Sequence, residues 1–266
     1  MTRFADVGWT WEGQATDPGV PPSIYGVGEA AEFLGLQRSV FIFHPTTAQG
    51  LAKLGDKAEI AVDISKWKWE EVRLSEDFYH VAYHSWRDSR PATAIEEAEL
   101  LSRLSLQFPN VTAGFIDDTT CMFEYGDYGT QVPEQITAAL HSANPALKLW
   151  IVVYIQQLRD EQWAPFIDVI DVVHLWCGDP FRLPNLPEHV DACSQAFPGK
   201  EIIVGSYLRD YSRQAEVPTE MVQAQYEAMF RLWQEGKIAG YSILANCLID
   251  RHPEQAEWIR DFLSDE

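Results

Sequence analysis

A chain of 266 residues with 46% apolar side chains can bury a sizeable core and fits one large α/β domain or two small ones. Its formal net charge of −20, from 40 acidic against 20 basic residues, argues against nucleic acid, whose phosphates need Lys and Arg to displace counterions. It argues equally against an anionic membrane surface, and such acidity reads first as a device for solubility.

Cys121, Cys177, Cys193 and Cys247 are scattered with no CxxC pairing, which disfavours a thiolate zinc site and fits free thiols in a reducing compartment. The start, Met1-Thr-Arg-Phe4, has no apolar segment of signal-peptide length, and no run approaches a membrane span, so the expectation is a soluble, cytoplasmic protein. A removed leader would leave no trace.

In chain order, Phe4 to Trp11 is a first strand, followed by a Pro/Gly-rich loop from Asp17 to Pro22 and a helix around Gly28 to Leu36. Ser39 to Phe43 is an apolar strand closed by His44-Pro45, and a helix runs from Thr47 to Leu54. Glu59 to Ser65 repeats the form of an apolar strand with a polar rim. The segment from Lys66 to Asp88 breaks the rhythm with Trp67, Trp69, Tyr79, Tyr83 and Trp86; it reads as an insertion on the active face, with an extra strand over Phe78 to Tyr83, or alternatively as part of an irregular third repeat.

From Pro91 the rhythm is regular. Ile95, Ala98, Leu101, Leu104 and Phe108 mark one helix face, with Pro91 near its start. Then come a strand from Val111 to Ile116 ending on Asp117-Asp118, a helix from Pro133 to Ser142, a strand from Leu147 to Gln156 and a helix from Asp160 to Ile167. A strand from Val169 to Trp176, a helix from Pro187 to Phe197 and a strand from Glu201 to Tyr207 follow. Thr219 reads as the cap of a helix carrying Val222, Tyr226, Met229 and Trp233; a last strand, Gly240 to Asn246, precedes a helix opened by Pro253.

Near-continuous apolar strands alternating with helices are the pattern of parallel βαβ units covered on both faces. Eight such pairs predict a closed (β/α)8 TIM barrel spanning residues 1–266 as one catalytic domain, with a doubly wound open sheet as the alternative. No Gly-rich fingerprint follows any strand, and neither a dinucleotide nor another cofactor is expected.

In such a barrel, chemistry collects where strands end. Those positions hold Trp9, Trp11 and Glu12, then His44, then Asp63 and Lys66, then Asp117 and Asp118. Later strands offer Tyr154 and Gln156, Trp176 and Asp179, Tyr207, Arg209, Asp210 and Tyr211, and finally Asn246 and Asp250. Carboxylates and large aromatics dominate. Aromatic faces stack on the apolar side of a pyranose, acids accept hydrogen bonds from its hydroxyls, and two carboxyl groups suffice to cleave a glycosidic bond. The expected catalytic set is therefore Asp117 and Asp118 with Glu12, Asp179 or Asp210. Binding falls to Trp9, Trp11, His44, Asp63, Tyr154, Gln156, Trp176, Tyr207, Arg209 and Asn246, with a carbohydrate as partner and no metal. Each position has a plainer reading: aromatics capping the barrel core, His44 satisfied by backbone, Arg209-Asp210 as an ion pair. Adjacent strand residues face opposite ways, and parity alone leaves open which aspartate looks inward. Asp118 is favoured as nearer the open centre, with Asp117 as its partner; a strand ending at Ile116 would let both acids turn inward and raise one pKa.

These features together resemble the TIM-barrel glycoside hydrolase superfamily: a Trp-rich first strand, a fourth strand ending in Asp117-Asp118, and aromatic rims on the sixth and seventh strands. The Asn-Glu after the fourth strand of the large retaining clan is not matched, and DxxDxDxE is absent. The α-galactosidase-like arrangement is met loosely by Asp117 or Asp118 with Asp179, but Phe115 or Ile116 stands where a Lys precedes the nucleophile. The resemblance implies a superfamily and no family. Two other functions fit the same barrel. One is a metal-dependent sugar isomerase or lyase using His44, Asp63 and an aspartate, although the one ligand-like spacing, His80 to His84, lies in the insertion. The other is a carbohydrate-binding barrel without turnover.

Overall fold

The computed structural model describes residues 2–13, 23–42, 45–74, 81–88, 90–125, 131–159, 161–244 and 246–266. In chain order the strands are β1 (Gly8–Trp11), β2 (Arg38–Phe41), β3 (Glu59–Asp63), β4 (Trp67–Arg73), β5 (Val81–Arg87) and β6 (Val111–Ile116). They continue as β7 (Lys148–Tyr154), β8 (Val172–Trp176), β9 (Glu201–Tyr207), β10 (Arg209–Asp210), β11 (Ala215–Glu216) and β12 (Gly240–Leu244). The helices are α1 (Val27–Leu34), α2 (Ala48–Lys53), α3 (Pro91–Ser105), α4 (Gln131–Leu140), α5 (Ala164–Ile167), α6 (Leu186–Ala196), α7 (Thr219–Gln234) and α8 (Pro253–Asp265).

Eight strands pair in parallel and close on themselves in the order β1, β12, β9, β8, β7, β6, β3, β2. The sheet therefore has no edge, which rules out the open doubly wound alternative. Period-two alternation sorts the side chains of each strand. One set, including Trp9, Trp11, Ala113, Phe115, Trp150 and Trp176, packs inside the barrel. The other, including Val62, Ile116, Ile151, Leu175 and Val204, meets the apolar faces of the helices.

Several boundaries differ from the sequence expectation for local reasons. Phe4–Val7 is a 3-10 turn, and the first strand starts only at Gly8. The Arg3 amide and guanidinium both bind Asp6, closing that turn, and the Phe4 ring packs 4.3 Å from Tyr241 and 5.4 Å from Phe230, outside the barrel. The aromatic insertion is an antiparallel hairpin, β4 with β5, registered from Trp67 opposite Arg87 to Arg73 opposite Val81. Of the strand expected over Phe78 to Tyr83, residues 78–80 lie outside the described residues. The helix expected from Asp160 is shorter: Glu161–Trp163 is 3-10, with the Trp163 indole tied to the Gln157 carbonyl at 2.7 Å, and only Ala164–Ile167 is α-helical. Thr219 is not a cap. Pro218 occupies that position, and the Thr219 hydroxyl donates to Glu254 at the start of α8, 2.7 Å away.

Gly205 is a tightly constrained position in the barrel interior. It faces inward on β9, and the Trp176 indole lies over it so closely that a Cβ there would overlap the ring carbons. Gly205→Ala should therefore push the indole aside and cost about 1–3 kcal/mol. A lower urea midpoint with an unchanged slope, accompanied by an altered near-ultraviolet tryptophan signal, is the expected result.

Candidate active site

β6 ends at Ile116, and Asp117 continues the inward side of Ala113 and Phe115. Asp118 then adopts a left-handed backbone with φ of 40°, a region that Asp tolerates better than most residues. The Asp117 carboxylate accepts from the Asp118 amide at 2.9 Å, which stabilises the turn. Thr119 locks it further: its hydroxyl donates to the Ile116 carbonyl at 2.8 Å and accepts from Val152 N at 3.1 Å, pinning the turn to β7. Both aspartates consequently reach the same cavity at the C-terminal mouth.

Arg87, the last residue of β5, comes in over the rim and binds both. Its Nη2 donates to Asp117 Oδ2 and lies 3.3 Å from Asp118 Oδ2, while Nη1 donates to Ser65 Oγ at 3.3 Å. Ser65 in turn donates to Asp63 at 2.6 Å and accepts from the Asp117 amide at 3.2 Å. On the far side, the Tyr154 hydroxyl donates to Asp118 Oδ1 at 2.8 Å. Three carboxyl groups thus lie around one guanidinium. Burial pushes Asp117 up to about 7; Arg87 pulls against this, while Asp118 and Asp63 add to it. Burial works against the charge on Arg87 too, and Asp117, Asp118 and Asp63 more than offset it. Burial likewise raises the Tyr154 and Tyr207 phenols, so both remain hydrogen-bond donors at neutral pH.

The cavity has a volume of about 410 Å³, within the range of small-ligand sites, and its walls include Trp11, Tyr154, Trp176, Tyr207 and Tyr211. These rings form a continuous surface, with Trp11 5.2 Å from Trp176, Trp176 4.6 Å from Tyr207 and Tyr207 5.6 Å from Tyr211. Below them His174 is enclosed, bonded to Ser242 at 2.7 Å, and burial lowers it to about 3, so it is a neutral core residue.

Of the residues singled out from sequence, the cavity brings together Asp117, Asp118, Trp11, Tyr154, Trp176, Tyr207 and Tyr211. The others stand elsewhere. Glu12 is buried and accepts from the Ile42 amide at 3.0 Å. Asp179 caps the turn Pro180–Asn185 and sits 3.5 Å from Arg213. Asp210 pairs with Arg213 at 2.6 Å in place of the expected Arg209, and bonds from Ser212 and Arg213 outweigh burial to hold its carboxyl below the ordinary range. Arg209, its chain neighbour, lines a separate small cavity behind Tyr207.

Asp63 lies buried beside Ser65, with Oδ2 lacking a partner among the described residues. Lys66 is buried 4.0 Å from Glu97. Trp9 lines the opposite mouth of the barrel with Arg38 and Trp150. Gln156 is exposed, whereas its neighbour Gln157 binds the Tyr154 amide at 2.9 Å. Asn246 ties the Gly13 amide to the Tyr25 carbonyl, and Asp250 binds Ser23. His44 lies outside the described residues. Among the described residues no three His, Cys, Asp or Glu side chains are placed to hold a metal ion. Neither residue type nor spacing singles out Arg87 or Ser65 in the sequence. The one signal for Arg87 was its place at the end of an insertion on the active face.

No family model and no curated protein matches the chain. Solved structures do match in fold. A β-D-glucuronidase from Dictyoglomus thermophilum aligns with a TM-score of 0.60 at 11% identity, over 99% of this chain and 51% of that one. This chain therefore spans about half the length of that enzyme. A putative α-L-fucosidase from Bacteroides thetaiotaomicron aligns at 0.59 and 8% identity, over 98% and 96% of the two chains. The PgaB (BpsB) glycoside hydrolase domain from Bordetella bronchiseptica aligns at 0.53 and 12% identity, over 88% and 91%. The chain has the (β/α)8 fold of these glycoside hydrolases, and at such identity the likeness speaks to fold alone.

The raised Asp117 carboxyl has a consequence for stability. The folded state holds this proton more tightly than the unfolded chain, whose ordinary value is 3.8, so stability falls as pH rises from there to about 7 and then levels off. In Asp117→Asn the decline between those values should flatten, as read from urea midpoints taken across the window.

Proposed function

We propose that this barrel is a glycosidase whose acid and nucleophile are Asp117 and Asp118. The observation that carries this reading is the pair itself: two carboxyl groups on one guanidinium nitrogen, at the rim of an aromatic-walled cavity, one of them pushed towards its neutral form. Asp117 is the proton donor to the glycosidic oxygen. Asp118 is the more exposed, with 34% of its side-chain surface accessible, and is oriented by Tyr154; it attacks the anomeric carbon as the C–O bond breaks. Water then cleaves the glycosyl ester, with Asp117 taking the proton as base. Groups bridged by a single nitrogen leave no room for an intervening water, which supports retention over inversion, where about 6.5 Å or more separates the acids.

A second reading is a carbohydrate-binding barrel without turnover. It draws on the fact that both carboxyl groups already have partners in Arg87 and Tyr154. A panel of aryl glycosides and oligosaccharides separates the two. The glycosidase reading expects turnover by the native chain and a fall in kcat/KM of about 10²-fold or more in Asp118→Asn and in Asp117→Asn. Turnover that survives both substitutions unchanged would sink the assignment, and saturable binding without turnover across the panel would favour the second reading.

A further inference from the structure

We infer that the cavity selects sugars bearing an ammonium group over their neutral counterparts and excludes uronates. This rests on the reading of the cavity as a sugar site and adds to it the charge of the occupant.

Two of the described lining residues are Asp117 and Asp118, and none is Lys, Arg or His. The cation beneath them, Arg87, is shared between those two acids, with Asp63 adding a third carboxyl nearby. Even with one proton retained among the three, the group carries net negative charge. Arg213, next in sequence to the lining residue Ser212, is bound to Asp210 at 2.6 Å, and its guanidinium lies 4.6 Å from the centre of the Phe181 ring. A uronate would bring a fourth carboxylate to a guanidinium already shared, with no described cation on the wall to receive it.

An ammonium group meets the opposite situation. Asp118 offers an acid at the more open side of the pair, and the rings of Trp11, Trp176, Tyr207 and Tyr211 enclose the same space. Aromatic faces carry negative potential and attract cations, the more so when water is displaced. Trp176 lines the same space but is only 2% exposed, and its indole N–H is enclosed with no acceptor among the described residues, so a ligand meets the edge of this ring and not that donor.

The test uses the full chain and three matched ligand types: methyl glycosides of a 2-amino sugar, of the parent neutral sugar and of its uronate, in both the gluco and galacto series. Binding is measured by calorimetry and tryptophan fluorescence, and turnover of the corresponding aryl glycosides is followed in parallel. The amino sugar should bind about 10-fold more tightly than the neutral one, and the uronate should show no saturable binding. Asp118→Asn, checked for folding by its thermal melt, should bring the amino and neutral sugars to within about 2-fold of each other. If that variant does not fold, the native order of affinities decides the point alone. A uronate that binds as well as the neutral sugar, or no difference between amino and neutral sugars, overturns the inference. The charge order without any bond cleavage overturns the glycosidase reading and leaves this one standing. Faster cleavage of the uronide than of the amino glycoside does the reverse, and absence of all binding overturns both.

Discussion

The guanidinium of Arg87 is the interaction on which the mouth of the barrel depends. Without it, Asp63, Asp117 and Asp118 would be like charges in a partly buried space, an arrangement that costs several kcal/mol unless a cation or a proton intervenes. Much of the nearby backbone serves to hold that cation in place. The hairpin base is closed by the Asp88 amide on the Lys66 carbonyl at 2.7 Å, and Lys66 takes up a left-handed conformation with φ of 35° to allow it. The Asp88 carboxylate then grips Arg90 and Thr93 at the start of α3, at 2.7 and 3.0 Å. Arg87 is thus clamped between a barrel strand's exit and a helix's entry.

The rest of the site follows from how the barrel is filled. Its interior is a column of rings: Trp9 4.8 Å from Trp150 at the lower end, then His174 4.8 Å from Trp11, then Trp176 and Tyr207. Indoles packed edge to face take up the width of the barrel where most barrels use branched aliphatics, and only a glycine at position 205 leaves room for the Trp176 ring. The column makes a rigid floor, and the cavity begins where the strands end. Core and cavity are therefore continuous here: Trp11 and Trp176 belong to the packed interior below and to the cavity wall above.

The sequence made the architecture legible because burial on two faces writes itself as apolar runs, and the runs from Val111, Lys148 and Glu201 carry that signal plainly. Rim aromatics were legible for the same reason, since strand ends predict position. The direction in which each rim acid points was not. Asp179 and Asp210 hold residues with which they share a turn, and Asn246 braces the backbone of Gly13 and Tyr25; such uses leave no mark in residue type or spacing. Nor does Arg87 stand out, because its partners come from the residues following β6 and those following β3, and their meeting is a fact of closure. Parity favoured neither aspartate until the left-handed turn at Asp118 was known.

The hairpin formed by β4 and β5 pairs only with itself and contributes no strand to the closed ladder. The cation at the heart of the site is therefore delivered by one contiguous segment, whereas the acids belong to the barrel. Scaffold and charge balance become separable inheritances: exchanging a single stretch between β3 and α3 would recast the electrostatic character of the mouth while every barrel strand kept its neighbours.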